Sequence, residues 1–252
     1  MRLDHIVVHV DNDPQKLKSL SETTNDQGYP FFPNKGKRNT EYCSSSINIG
    51  SEYIEVVRML KPNAQSWMPL WSHYYDSGFR GVYCIFLEVE DVERTAVALK
   101  KAGVRARGPA VLTYPALLGM FRKEAPYLIY YMPTFPDTNF QLALMQYRKP
   151  GSREAFQAGL QPNANTNGIN GIRRVEIELP NLDESMEMIQ KIFPDLRFEN
   201  GEWMTQLEKQ RMVFRRSADA AMHVRVSTVT SQRANLGKSF QLSNLEVVTT
   251  GG

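Results

Sequence analysis

The chain has 252 residues, 42% hydrophobic and 23% charged, a composition ordinary for a globular protein and long enough for one large domain or two smaller ones. With 30 basic and 27 acidic residues the net charge is only +3, and basic pairs such as Arg173-Arg174 and Arg215-Arg216 are scattered, so nucleic acid is not an expected partner. Two cysteines, Cys43 and Cys84, make no disulfide framework or zinc-knuckle spacing, and no stretch of about 18 apolar residues suggests a membrane span.

The chain opens on a strand-like run, Leu3–Val10, without the apolar core and cleavage site of a secretory leader. A cytoplasmic protein with no membrane partner is the expectation. The acidic turn Asp11-Asn12-Asp13 then supplies N-cap acceptors for a helix, and Gly28 marks its exit. Two strand candidates follow, Ser45–Ile49 and Glu52–Met59, joined by a Gly50-Ser51 turn. Trp67, Trp71, Tyr74 and Tyr75 make an aromatic run around His73, read as core or pocket lining.

The same order returns from Val82. An apolar run leads through Glu90-Asp91 into an amphipathic stretch carrying Val92, Ala96 and Leu99, and Gly103 ends it. Tyr127–Met132 and Phe140–Tyr147 are strands, with Val104–Thr113 a further candidate. From Lys149 to Asn170 Asn, Pro and Gly dominate, which predicts a loop or linker. A third copy starts at Ile172, passes Pro180-Asn181-Leu182-Asp183 into a helix bearing Met186, Ile189 and Ile192, and continues in Arg211–Arg215 and His223–Val229. Leu245–Thr249 is a last strand. Repetition of a whole βα-plus-strands unit is stronger than any single propensity. The expected fold is α+β: tandem βαβββ modules forming a cupped mixed sheet over 1–150, and a third related module over 165–252.

This tandem βαβββ pattern, with a His on its opening strand, resembles the vicinal oxygen chelate superfamily, glyoxalase-like branch. The resemblance is carried by Leu3-Asp4-His5-Ile6-Val7-Val8, by Gly50-Ser51-Glu52-Tyr53-Ile54-Glu55-Val56-Val57, and by Pro162-Asn163, Asn167-Gly168 and Gly171-Ile172. It implies paired modules around a U-shaped sheet, and a divalent metal (zinc, iron, manganese or nickel) held by His and Glu or Gln of first and last module strands.

Strand alternation puts Leu3, His5, Val7 and His9 on one face, and Asp4, Ile6, Val8 and Val10 on the helix-covered face. Aligning the repeats places Cys84 and Arg174 at the position of His5, and Glu88 and Glu178 at that of His9. By the family pattern Glu55 shares the cup with His5, so the implied metal ligands are His5, Glu55 and Gln141. Glu55 and Glu88 are candidate catalytic carboxylates. Ala143 stands where the second module would offer a partner to Glu55, which departs from a four-ligand site. The alternative is that His5 and Glu55 only hydrogen-bond each other. Cys84 reads as packing, and Arg174 as an ion-pair partner of Glu176 or Glu178 or as an anion clamp.

Two functions follow. One is a divalent-metal-dependent lyase, isomerase or dioxygenase acting on a small oxygenated organic molecule. The other is a metal-free protein of the same fold that sequesters a small molecule. An unpaired third module would leave an exposed sheet edge, so a homodimer is expected.

Overall fold

The computed structural model describes residues 1–64, 69–116 and 121–252, with the side chains of 69, 112–116 and 121–123 outside the described set. Trp67 of the aromatic run therefore lies outside the described residues.

The first module is β1 (Arg2–His9), α1 (Pro14–Asp26), β2 (Gly36–Arg38), β3 (Tyr42–Ile49) and β4 (Glu52–Met59). A short helix, α2 (Pro69–Asp76), leads to the second: β5 (Gly81–Glu88), α3 (Val92–Lys101), β6 (Arg107–Ala116), β7 (Phe121–Thr134) and β8 (Gln141–Tyr147). In each module the last strand returns parallel to the first, β4 against β1 and β8 against β5. The opening strands meet antiparallel, β1 against β5. The result is one eight-stranded mixed sheet in the order β2-β3-β4-β1-β5-β8-β7-β6. Asp13 caps α1 by accepting from Gln15 N and Lys16 N, and Asp91 caps α3 through Arg94 N, as the acidic turns predict.

The segment read as a linker is built. Seven helix-forming residues between Gly151 and Gly159 make α4 (Ser152–Ala158), and a 3-10 turn covers Ala164–Asn167. Asn163 exchanges 2.9 Å hydrogen bonds with Gly50 N and O, tying the β3–β4 turn to this segment. Gly50 has φ +66°, and a Cβ there would meet Asn170 O at 2.5 Å, so the turn needs glycine.

The third module is β9 (Ile169–Leu179), α5 (Leu182–Ile192), β10 (Arg197–Glu199), β11 (Glu202–Gln206) and β12 (Arg211–Arg216). Asn181 makes no side-chain cap for α5, contrary to expectation. His223–Thr230 does not complete this module. It opens an abbreviated fourth one, β13 (His223–Thr230), a 3-10 turn at Arg233–Asn235, β14 (Ser239–Leu242) and β15 (Leu245–Gly251). β15 lies parallel to β13, and β13 antiparallel to β9, repeating the first sheet's plan in the order β10-β11-β12-β9-β13-β15-β14. The fourth module escapes sequence reading because its helix is reduced to one short turn with no amphipathic repeat. The chain thus completes the sheet within itself, which removes the premise on which a homodimer is expected.

Both sheets feed one continuous buried cluster, including Ile6, Val8, Ile85 and Leu87 from the first and Val175, Ile177, Val224 and Val226 from the second. Tyr29 hydrogen-bonds Thr228 and Thr249 at 2.6 Å across the junction. A second apolar cluster, around Val7, Trp71, Tyr83, Phe86, Tyr131 and Met145, occupies the other face of the first sheet. Among the described residues no helix is long and apolar enough to cross a membrane.

Candidate functional site

Strict alternation fails at the start of β1, and the failure builds the site. Leu3 pairs with Leu87 and His5 with Phe86, so Asp4 is the extra residue of a β-bulge. A bulge sets two residues against one and re-aims the strand's side chains. Leu3 joins the main core with Ile6, Val8 and Val10, contrary to its expected place beside His5. Asp4, expected on the helix-covered face, instead meets the His5 ring, with Asp4 Oδ1 2.6 Å from His5 Nδ1. Both are buried. Tyr147 Oη donates to the other Asp4 oxygen at 3.3 Å.

His5 is clamped flat. Its ring stacks on Tyr53 at 4.6 Å and on Phe86 at 4.2 Å, with interplanar angles of 9° and 11°. Tyr53 is opposite His5 on β4, and Phe86 is opposite it on β5, so pairing register fixes the sandwich. An ionised Asp4 only accepts, so in neutral His5 the proton sits on Nδ1 and Nε2 presents its lone pair. Nε2 faces Glu55 Oε2 at 3.8 Å, beyond a direct hydrogen bond. The other Glu55 oxygen accepts from Ser44 Oγ at 2.5 Å. Tyr147, Asp4, His5, Glu55 and Ser44 form one polar line, open at the gap between imidazole and carboxylate.

That gap lies on a cavity of about 390 Å³. Its walls include Tyr53, Phe86, Tyr127, Ile129, Tyr131 and Met145, Ser44–Ser46 line one side, Lys37 stands on β2, and Phe156 of α4 closes over it. The volume suits a small organic ligand. The Tyr131 hydroxyl is buried and finds no partner among the described residues. Burial holds its phenol well above the ordinary range, so it remains a proton donor.

The other predicted site residues are elsewhere. Parallel pairing sets Cys84, Ala143 and Glu88 in the second module where His5, Glu55 and His9 stand in the first. Glu88 does not line the cavity. Arg2 holds it by two hydrogen bonds of 2.8 and 2.6 Å, and Arg153 of α4 by a third. Burial pushes its carboxyl up to about 7, with Arg2 opposing. With both oxygens held by guanidiniums it is not free to move a proton in the cup. Gln141 is buried away from the pair; with its amide turned so that oxygen and nitrogen both meet complementary neighbours, it accepts from Trp71 Nε1 at 2.9 Å and donates to Met132 O at 3.1 Å. Burial drives the Cys84 thiol well above its usual range, as for a packing cysteine. His9 is fully buried against Tyr75 and Tyr83 with neither ring nitrogen bonded among the described residues, and burial, then Arg80, lowers its pKa to about 3. Arg174 pairs with Glu176 and Glu202, not with Glu178.

The implied metal does not fit this donor set. A catalytic ion usually takes three protein ligands at about 2.0–2.2 Å. Here His5 and Glu55 come from one module, Gln141 is engaged elsewhere, and the second module offers a buried thiol and an alanine. Among the described residues no three His, Cys, Asp or Glu side chains converge as ligands.

Sequence reading missed Asp4, Tyr131, Phe86 and Phe156. One signal for Asp4 was present: Leu3-Asp4-His5 sets two adjacent polar residues in an apolar run, as Ile172-Arg173-Arg174 does in the third module.

No protein-family model and no curated protein matches this chain. Among solved structures, a hypothetical protein from Staphylococcus aureus is similar over 100% of this chain and 99% of its own, with a TM-score of 0.72 and 14% identity. That likeness shows a shared fold over the whole chain. Methylmalonyl-CoA epimerase from Streptomyces coelicolor, in complex with 2-nitronate-propionyl-CoA, aligns with 58% of this chain and 94% of its own at a TM-score of 0.41 and 14% identity. The enzyme of the same name from Mycobacterium tuberculosis aligns with 58% and 87% at 0.39 and 13%.

Proposed function

We propose that the cup of the first sheet binds a small oxygenated organic molecule and moves a proton on it, with His5 as acid and base and without a resident metal. The observation that carries this is the Asp4–His5 pair, whose Nε2 opens toward Glu55 at the base of an apolar cavity. The reaction class is isomerase or lyase chemistry through an enolate, in line with the glyoxalase-like resemblance. A proton on carbon beside a carbonyl passes to Nε2. The C–H electrons move into the carbonyl, whose oxygen takes the negative charge. Asp4 on one side and Glu55 on the other stabilise the imidazolium that forms. Return of the proton to carbon, on either face, regenerates the imidazole. A dioxygenase needs iron, whose usual two-His, one-carboxylate ligand set these residues do not make.

The test is thermal stabilisation by a panel of 2-oxo acids, hydroxy acids and aryl ketones, with and without chelator. A ligand that binds the native state raises the melting temperature by mass action. The reading predicts responses that persist in chelator and vanish in His5→Ala. For a ligand that binds, the C–H beside its carbonyl exchanges with deuterated solvent in the wild type but not in His5→Ala. Stabilisation that requires zinc, iron, manganese or nickel would overturn the metal-free mechanism. Binding without exchange would leave the cup a sequestering site.

A further inference from the structure

The second sheet has a cup of its own, with different chemistry. A cavity of about 500 Å³ opens there against Arg173, Arg174, Lys209, Arg211 and Ser227. The backbone gathers these cations. In β9, Arg174 pairs with Ser227 and Ile172 with Thr228, so Arg173 is the extra residue of a bulge. Arg174 also stands level with Arg211 on β12. The first sheet has the same arrangement, with Asp4 in the bulge and His5 level with Tyr53. Arg173, Arg174 and Arg211 therefore occupy the places of Asp4, His5 and Tyr53.

Charge is balanced in the middle of this cup and unbalanced at its open end. In the middle, Arg174 pairs with Glu176 at 2.9 Å and Glu202 at 2.6 Å, and Arg215 pairs with the same two carboxylates. At the open end, no acidic side chain among the described residues lies within ion-pair distance of Arg173, Lys209 or Arg211. Glu52 attracts Lys209 through space, but it is buried and its oxygens are taken by Gln210 Nε2 at 3.0 Å and Ile172 N at 3.3 Å. Like charges held together around a cavity repel until an anion enters.

We infer that the second cup is a binding site for a phosphorylated small molecule. Arg173 and Arg211 fork onto phosphate oxygens, Lys209 adds a point charge, and the Ser227 hydroxyl donates a further hydrogen bond. Arg174, held by its two glutamates, shapes the wall.

Inorganic pyrophosphate is the probe, titrated calorimetrically into the full chain at ionic strength held constant with sodium chloride. The site predicts saturable binding at one pyrophosphate per chain, weakened about tenfold or more in R173Q/R211Q and to a smaller degree in K209Q. Arg173, Lys209 and Arg211 are exposed, and circular dichroism checks that the variants stay folded. Binding in His5→Ala should match the wild type, which separates this site from the first cup. Heat that does not saturate would overturn the site, as would unchanged affinity in R173Q/R211Q. Loss of binding in His5→Ala would move the anion to the first cup. A single-stranded oligonucleotide that binds below the pyrophosphate concentration and is lost in R173Q/R211Q would replace the small phosphate with a nucleic-acid backbone.

Discussion

The two cups are one piece of backbone engineering filled with two chemistries. In both, a one-residue bulge in the sheet's central strand turns consecutive side chains toward the concave face, and the parallel partner strand brings a third side chain level with the second. In the first cup these are Asp4, His5 and Tyr53, set in an aromatic surround that removes water and leaves one imidazole nitrogen free. In the second they are Arg173, Arg174 and Arg211, set in a network of ion pairs that keeps water and charge. The bulge fixes where two groups are presented; the surrounding side chains decide whether they move a proton or hold an anion.

The sharpest way to break this contrast is through what lies beneath each cup. Trp71 is buried against Tyr83, Phe86 and Tyr131 and bonds Gln141, so Trp71→Ala should cost about 3–5 kcal/mol in urea unfolding. The variant should also lose ligand stabilisation in the first cup while pyrophosphate binding in the second is kept.

Next in size is acid sensitivity confined to the first sheet. His9 titrates near 3 when folded because burial disfavours its charged form, against about 6.5 in the unfolded chain. The unfolded state therefore binds the extra proton in this window, and His9's contribution, complete above about 6.5, is lost as pH falls toward 3. The slope is about 1.4 kcal/mol per pH unit, so His9 alone should remove roughly 2–3 kcal/mol between pH 6 and pH 4. His9→Phe should flatten that part of the pH–stability curve; a curve of unchanged slope would count against a buried neutral His9.

The smallest effect belongs to the second cup. Glu176→Ala leaves Arg174 and Arg215 with Glu202 alone, and a loss of about 1–2 kcal/mol is expected, shrinking as salt rises because both arginines are partly exposed. Pyrophosphate should bind this variant more tightly than the wild type, since a negative charge has left the cup.

Much of this is written in the sequence at the level of modules, and less at the level of sites. Three opening strands and their acidic turns follow from apolar runs and periodicity, because those signals repeat, while the His5–Glu55 pairing is implied only by the family resemblance. The fourth module does not announce itself, since a 3-10 turn at Arg233–Asn235 has no amphipathic period to detect. The helix at Ser152–Ala158 is masked by its Asn-, Pro- and Gly-rich flanks, yet it supplies Phe156 over the cavity and Arg153 onto Glu88. Alternation assigns Asp4 to the wrong face because a bulge adds one residue without changing composition. Gln141 fails as a ligand for a reason a linear reading cannot hold: Trp71, seventy residues earlier, folds over it.

The chemistry of the first cup rests most directly on Asp4 fixing the proton of His5. Side-chain nitrogen NMR of the full chain, at a pH where the imidazole is neutral, reads this without any ligand. The prediction is a single tautomer for His5, with Nδ1 protonated and Nε2 bare, that becomes a mixture in Asp4→Ala. A wild-type His5 protonated on Nε2 and donating to Glu55 would contradict it, and would leave the first cup without its base.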